Sequence, residues 1–356
     1  MALINQLDKY HLCYLILNDI SDDCLNGLSH VAEHTLLLHS NIEIGFLGCG
    51  YTSASHVWLY FASDKLEALL EIDRKLMNGE IITDENVSKA KRQVVKEIYR
   101  LQEYTAQCVN LIRFITEDRI EKFAIGEVEQ INKIHPDDIR NWFNERKSQH
   151  QIYRFIFKDA HKMIASTKIH KNCMRTDKFF CDCITIDDVD RLLILTPMRE
   201  VASIQLFFRI PPLDSKEAVI SKTVFEFCIQ RKLHEAIGID IEISDVFFDI
   251  NERFSVIKFQ WNDISMINEI LRKIRLGVNG IDLREYHAYK EEFKQITATM
   301  VKQKKTNSEM MNDIKNYVVY SLPSIQPEDI DYIDQIKFEQ FPRELITKTP
   351  LKIVIR

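Results

Sequence analysis

The two halves of the chain end in the same pattern, and this repeat constrains the fold more than any other feature. Pro136-Asp137-Asp138-Ile139 precedes the apolar run QIYRFIF, and Pro327-Glu328-Asp329-Ile330 precedes the apolar run LKIVI. The offset between the two prolines is 327 − 136 = 191 residues, about half of a chain of 356 residues. The repeat indicates a tandem duplication of one domain. Two domains also suit a chain that is too long for one core of typical size.

Hydrophobic periodicity predicts a similar order of strands and helices in the two halves. The first half has predicted strands at 11–17, 57–62 and 151–158 and predicted helices at 22–40, 64–76, 84–108 and 136–147. The second half has predicted strands at 192–196, 201–210 and 351–355, a hairpin within 239–261, and predicted helices at 215–237, 264–276 and 283–301. Neither half shows the βαβαβ rhythm with glycine turns of a Rossmann fold. We therefore expect an α+β chain, a tandem repeat of two similar α/β-sandwich domains at residues 1–165 and 186–356 with a charged linker at 166–185.

Composition and charge argue against several classes of partner. The formal net charge is −6 and no long basic run occurs, which disfavours nucleic acid as the main ligand. No stretch approaches the roughly 18 apolar residues of a membrane helix, and the N-terminal residues do not resemble a secretion signal. We interpret the 8 cysteines as reduced thiols of a cytoplasmic protein. Cys181 and Cys183, with Cys173 nearby, lack the spacing of a structural zinc site, so loop or buried thiols are the favoured interpretation.

A group of ionisable residues stands on the predicted helix at 22–40. His30-Val31-Ala32-Glu33-His34 has the order H-x-x-E-H, and residues at i, i+3 and i+4 share one face of a helix. His30 and His34 can therefore point at one metal ion, with Glu33 beside them as a general base. The alternative is that both histidines are ordinary, partly buried side chains. The motif alone supplies two ligands and a base, whereas a catalytic zinc site needs a third protein ligand.

Glu97 is the candidate for the third ligand. Val94, Val95 and Ile98 form an apolar stripe on its helix, and a carboxylate close to such a stripe needs a cation as its partner. A metal ion would be such a cation. The alternative is a solvated Glu97 that pairs with Arg100, three residues further on. The helical pattern does not decide between these two readings.

The segment GLSHVAEHTLLL at 27–38 resembles the G-L-x-H-x-x-E-H helix of the pitrilysin/insulinase family, the inverted zincins. The segment QVVKEI at 93–98 is similar to a later family segment, in which Glu97 takes the place of the third zinc ligand. Cys49-Gly50-Tyr51-Thr52-Ser53 is similar to the family's N-A-x-T-S segment, which lies before a strand. The resemblance implies a fold of the pitrilysin/metalloenzyme type, a bound Zn²⁺ ion, and an edge strand that pairs with an extended peptide substrate. It further implies substrate binding by Gly50, Tyr51, Thr52 and Ser53.

The chain also departs from the family pattern. Ala90 stands where an assisting glutamate is usual, Cys49 replaces an asparagine, and the gap from His34 to Glu97 is 97 − 34 = 63 residues, shorter than usual. In the second half, residues 231–238 resemble the family's stretch with a substrate-gripping arginine and tyrosine, but Ile241 takes the place of the tyrosine. The resemblance implies that four such domains enclose a chamber. We therefore expect a heterodimer, in which a second pitrilysin-like subunit supplies the missing pair.

These observations predict a zinc-dependent endopeptidase subunit that cleaves small peptides in a closed chamber. His30, His34 and Glu97 are the predicted metal ligands, and Glu33 is the predicted catalytic residue. Similarity to the small paired peptidases of subtilosin-type bacteriocin maturation suggests, as one specific substrate, the leader of a ribosomally made, modified peptide. The alternative is a non-catalytic scaffold or binding subunit with a vestigial zinc site. A third reading, an interaction protein with chance histidines, predicts that the nitrogens of His30 and His34 lie more than about 5 Å apart.

Overall fold

The computed structural model describes most of the chain. The described residues are 8–18, 27–37, 47–100, 124–160, 162–166, 192–194, 202–209, 215–238, 242–247, 253–261, 281–303, 305–320, 322, 324–331 and 352–355. The chain divides into two compact units. The first comprises Met1–Arg175 together with Lys305–Ser321, and the second comprises Thr176–Lys304 together with Leu322–Arg356.

The first unit is a five-stranded antiparallel sheet with helices. Its elements are β1 (Tyr10–Leu17), α1 (Leu28–Leu37), β2 (Leu47–Thr52), β3 (His56–Ser63), α2 (Leu66–Met77), α3 (Asp84–Arg100), α4 (Val128–Lys133), α5 (Pro136–Ser148), β4 (Ile152–Asp159) and β5 (Lys162–Ser166). The strand order is β2-β3-β1-β4-β5, and each neighbouring pair is antiparallel. Strand β2 is therefore an edge of the sheet among the residues that the structure describes.

Both faces of this sheet are covered, as the nearly continuous apolar strands require. Because side chains alternate along a strand, Leu12, Val57 and Leu59 share one face, where they pack with Val31 and Leu36 of α1. Cys13, Tyr60 and Phe155 point to the opposite face and pack against a helix from a later part of the chain.

The second unit has a sheet of mixed direction. The helix α8 (Asn307–Tyr320) lies late in the chain but belongs to the first unit. The elements of the second unit are β6 (Leu192–Ile194), β7 (Ala202–Arg209), α6 (Lys216–Ile237), β8 (Glu242–Phe247), β9 (Arg253–Trp261), α7 (Leu283–Lys302), α9 (Pro327–Asp331) and β10 (Lys352–Ile355). The strand order is β6-β10-β7-β9-β8. The pairs β8–β9, β9–β7 and β7–β10 are antiparallel, while β10 and β6 are parallel.

The predicted tandem repeat is confirmed by the order of the strands. Read from one edge, β2-β3-β1-β4 in the first unit corresponds to β8-β9-β7-β10 in the second, with each strand at the same place in the chain order. The repeated motif also has the same structure in both copies. The Asp138 carboxylate accepts a hydrogen bond of 2.7 Å from the backbone N–H of His135, and the Asp329 carboxylate accepts one of 2.8 Å from that of Gln326. Each copy thus begins its helix with a proline and an aspartate that binds the N-cap residue.

The sequence did not predict α8 or its place in the first unit. Met311, Val318 and Val319 of α8 are buried against the second face of the sheet. The segment carries three asparagines and β-branched residues, which have modest helix propensity, so tertiary packing rather than propensity stabilises this helix. The predicted helix at 264–276 and the charged linker, apart from Ser166, lie outside the described residues, so the domain boundary stays a prediction. The predicted helices at 22–40 and 84–108 are described at Leu28–Leu37 and Asp84–Arg100.

Candidate functional site

Helices α1 and α3 bring the three predicted metal ligands together. Val31, Ala32 and Leu36 bury one side of α1 in the core, and this leaves His30, Glu33 and His34 on the side that faces α3 and β2. The burial of Val94 fixes α3 in turn. Glu97, three residues after Val94, then faces the two histidines.

The distances in this cluster suit a small cation. Glu97 Oε2 lies 3.5 Å from His30 Nε2 and 3.3 Å from His34 Nε2. One ligand atom from each of the three residues lies within 4.8 Å of the other two. A tetrahedral zinc ion with bonds of about 2.0–2.1 Å would separate its ligand atoms by about 3.3 Å. The reading with chance histidines predicted a wider separation and is not favoured by this geometry.

The outer nitrogens of both rings have acceptors. His30 Nδ1 lies 3.3 Å from the carbonyl oxygen of Ile125, and His34 Nδ1 lies 3.3 Å from Oε1 of Gln93. An oxygen of either kind accepts a hydrogen bond from Nδ1, and each Nε2 is directed at the Glu97 carboxylate. Burial lowers the pKa of His30, and this favours the neutral form that binds metals.

Glu33 is held at the side of this cluster by strand β2. Thr52 donates a hydrogen bond of 2.5 Å from Oγ1 to Oε2 of Glu33. Burial raises the pKa of the Glu33 carboxyl, and the Thr52 hydrogen bond opposes that shift. A raised pKa brings a carboxylate closer to the neutral range in which a general base works best.

Gly50 allows the close approach of this carboxylate to the strand. A Cβ atom built on Gly50 would lie 2.3 Å from Oε1 of Glu33 and 2.7 Å from Cδ. No real Cβ contact is that short, so a side chain here requires Glu33 or β2 to move. The structure thus places Gly50 and Thr52 against the predicted general base.

The other two predicted substrate residues lie elsewhere on β2 and its turn. Tyr51 points to the opposite face of the sheet and is 62% exposed. Ser53 lies in the turn to β3, where its Oγ is 3.0 Å from His56 Nδ1 and its backbone N–H donates to the His56 carbonyl. The polar groups of Ser53 are therefore bound within the hairpin. Cys49, in place of the family's asparagine, is exposed on the same face as Tyr51.

Two parts of the site escaped the sequence interpretation. Gln93 lies one helical turn before Glu97, and that spacing was a usable signal for a residue that orients His34. The carbonyl of Ile125 carries no sequence signal. Ala90, which stands at the place of the family's assisting glutamate, is fully buried in the core. Among the described residues, the carboxylates at the cluster are thus Glu33 and Glu97.

The resemblance in the second half falls on a helix whose charges are paired within the unit. Arg231 forms an ion pair with Glu292 and stacks 5.4 Å from the ring centre of Phe227. Gly238 ends α6 with a φ of 71°, a left-handed conformation that favours glycine. Ile241 lies outside the described residues.

Comparisons with known proteins give similarity in sequence and in structure. No protein-family model matches this sequence. The chloroplastic stromal processing peptidases of rice (Oryza sativa, subspecies indica and japonica) are 28% identical over 137 residues, which is 34% of this chain and 11% of theirs. The chain thus spans about a tenth of the length of these relatives.

Among solved structures, the first half of the periplasmic protease PqqL from Escherichia coli matches with a TM-score of 0.66 and 11% identity, over 98% of this chain and 86% of that one. Against the whole PqqL protease the match covers 45% of that chain. A putative M16-like peptidase from Alicyclobacillus acidocaldarius matches with a TM-score of 0.61 and 12% identity, over 98% of this chain and 93% of that one. No helix in the described part of the chain is both long and apolar enough to cross a membrane. The chain has the pitrilysin-like fold of the M16 peptidases.

Proposed function

We propose that the first unit is a zinc-dependent endopeptidase domain, with His30, His34 and Glu97 as the metal ligands and Glu33 as the general base. The observation that carries the proposal is the cluster itself: two imidazole nitrogens and one carboxylate oxygen converge within 4.8 Å. Such a set matches the two histidines and one glutamate of catalytic zinc sites, which leave one position open. A zinc ion bound there would polarise the scissile carbonyl and stabilise the negative charge that develops on its oxygen.

The residues around the ligands support a proton transfer. Glu33 is buried, and its raised pKa suits a base that takes a proton from a water molecule beside the scissile carbonyl and later gives it to the departing amine. Thr52 fixes one oxygen of Glu33, and Gly50 leaves room for the other. The carboxylate is thus held in one position before the substrate arrives, and such positioning contributes to the rate.

The substrate in this proposal is an extended peptide that pairs with the edge of β2 to which no strand of the described residues is bonded. An exposed edge strand offers backbone N–H and C=O groups to another strand, and β2 also carries the residues that hold Glu33. One specific substrate is the leader segment of a ribosomally made, modified peptide. A cytoplasmic location remains part of the proposal; the described cysteines Cys13, Cys49 and Cys228 are free thiols.

The partner in this proposal is a second pitrilysin-like subunit. The structural match with the whole PqqL protease covers 98% of this chain but 45% of that protease. This coverage supports a chain that forms half of a larger assembly. Arg231 forms an ion pair with Glu292 of its own unit, so its charge is already paired there. A heterodimer would supply the missing substrate contacts from the other chain.

The alternative function is a scaffold or binding subunit whose zinc site is vestigial. Ala90 in place of the assisting glutamate and Cys49 in place of asparagine favour it. A Glu33→Gln variant separates the two functions, because it keeps the shape of the side chain and removes the base.

The experiment measures zinc content and peptide cleavage for the wild-type chain and for Glu33→Gln, each with the partner from the native host. We expect equal zinc content and a loss of cleavage of at least about hundredfold in the variant. Full cleavage by Glu33→Gln would refute the role of Glu33. Zinc that binds to neither protein would refute the metal site.

A further inference from the structure

A cavity of about 410 Å³ lies on the reverse face of the sheet from the histidine cluster. Cys49 and Tyr51 of β2, Trp58 and Tyr60 of β3, and Met311 and Lys315 of α8 line it. All these residues belong to the first unit. The walls are mainly aromatic and aliphatic, and one primary amine stands among them.

The register of β2 connects this cavity to the cluster. Gly50 pairs with Leu59 and faces Glu33, whereas its neighbours Cys49 and Tyr51 pair with Tyr60 and Trp58. Successive residues of a strand point to opposite faces. An extended peptide that pairs with β2 follows the same rule. If one of its side chains lies on the cluster face, the next side chain points towards the cavity.

Lys315 gives the cavity a charge preference. Its ammonium group is about half buried, and burial lowers its pKa. Within the part of the chain that the structure describes, no carboxylate pairs with Lys315 and no acidic residue lines the cavity. A half-buried cation without a paired anion attracts a carboxylate from a ligand.

We propose that this cavity is a side-chain subsite that selects an acidic residue, glutamate or aspartate, of the extended peptide, with Lys315 as the cation that binds its carboxylate. The methylene groups of the acidic side chain lie against Trp58 and Tyr51, and the carboxylate reaches the ammonium group at the α8 side of the cavity. Along the peptide, the selected residue is an odd number of positions away from the residue whose side chain lies at the histidine cluster. This inference rests on the proposed pairing of a peptide with β2, which it deepens by a sequence preference.

The test measures binding without cleavage. The full chain carries Glu33→Gln and is loaded with zinc. The probes are short peptides of alternating threonine and alanine, blocked at both ends, whose central residue is glutamate, glutamine or lysine. Calorimetry gives the affinity, and a change in tryptophan fluorescence that is lost in Trp58→Phe reports binding at the cavity, which Trp58 lines.

We expect the glutamate peptide to bind about tenfold more tightly than the lysine peptide, because the Lys315 ammonium group attracts a carboxylate and repels a second ammonium group, and solvent weakens both effects. Lys315→Met should remove the preference and Lys315→Glu should reverse it. Lys65→Glu is the matched control, because Lys65 is exposed at the start of α2 and the change in charge is equal. It should leave the ratio unchanged.

The outcomes separate the subsite from the proposed function. Equal affinity for the three peptides in every variant would overturn the subsite, even if the wild-type chain binds zinc and cleaves peptides. A glutamate preference that depends on Lys315, in a chain that neither binds zinc nor cleaves, would support the subsite and refute the peptidase. A failure of all peptides to bind at about millimolar concentration would overturn the subsite as well.

Discussion

Gln93→Leu should weaken zinc binding without unfolding the chain. In the structure, Gln93 Oε1 lies 3.3 Å from His34 Nδ1 and accepts its proton. Leucine keeps the size of the side chain and the helix propensity but removes the acceptor. The imidazole of His34 then has no protein partner at this nitrogen, so its ring orientation and its basicity are less well set for a metal ion.

The size of the effect follows from the geometry. Loss of such an outer partner costs about 10–100-fold in metal affinity. The contact here is longer than a typical hydrogen bond of about 2.9–3.0 Å, and the His34 side chain is 22% exposed, so water replaces part of the interaction. We therefore expect the lower end, about tenfold, which corresponds to about 1.4 kcal/mol.

Competition with a zinc-binding indicator measures this affinity, and circular dichroism verifies the fold. Arg92→Leu is the matched control, since Arg92 is the exposed neighbour on the same helix. Gln93→Glu, which keeps an acceptor and adds a charge, should bind zinc at least as tightly as the wild type. Equal zinc affinity in Gln93→Leu, Arg92→Leu and the wild type would refute the orienting role of Gln93.

Two further predictions concern β2 and the first residue of β3. Gly50→Val should lower kcat/KM about hundredfold with zinc content unchanged, because a displacement of Glu33 by about 1 Å costs that much. Valine is a sharper test than alanine, since the family segment itself has alanine at this position. Gly79→Ala is the control: its new Cβ has no atom within 4 Å, but the φ of 70° is unfavourable for alanine, so it should lower stability and leave turnover unchanged. Full turnover in Gly50→Val would contradict the reasoning. Burial, and to a smaller extent the nearby Lys315, lowers the pKa of His56 from 6.5 to about 3. As the pH drops below 6.5, the unfolded chain therefore binds a proton that the folded chain does not bind. The free energy of unfolding falls as a result, by roughly 2 kcal/mol at about pH 5. Denaturant titrations at about pH 7 and pH 5 should show a smaller loss for His56→Gln, and an equal loss in both proteins would contradict the role of His56.

Features that depend on short-range chemistry were predictable from the sequence. The repeated P-x-D-I motif gave both helix starts, because proline at the first position and aspartate at the third satisfy the backbone locally. The H-x-x-E-H spacing placed His30 and His34 on one face for the same local reason. Glu97 needed the family resemblance, since helical pattern alone left it between a metal ligand and a partner of Arg100.

Features that depend on distant packing were not predictable. Helix α8 follows α7 in the chain, yet Met311 and Val318 bury against the sheet of the first unit. His30 Nδ1 donates a hydrogen bond to a backbone carbonyl 95 residues away. Every residue carries such a carbonyl, so the sequence does not identify this partner. The cavity likewise needs Lys315 from α8 beside Trp58 from β3, 315 − 58 = 257 residues apart.

The equivalent helix pairs of the two units differ in the charges that they bring together. In the second unit, α6 and α7 meet through Arg231 with Glu292 and through Lys232 with Glu285, so cations face carboxylates and each charge has its partner. In the first unit, α1 and α3 meet through His30 and His34 with Glu97, which is a set of two imidazoles and one carboxylate. The contact between α6 and α7 supplies both signs of charge from its own side chains, whereas the proposed zinc site between α1 and α3 would take its cation from solution. A metal ion bound between α1 and α3 would contribute to the stability of the first unit. Addition of zinc should therefore raise the melting temperature of the wild-type chain and not that of His30→Ala.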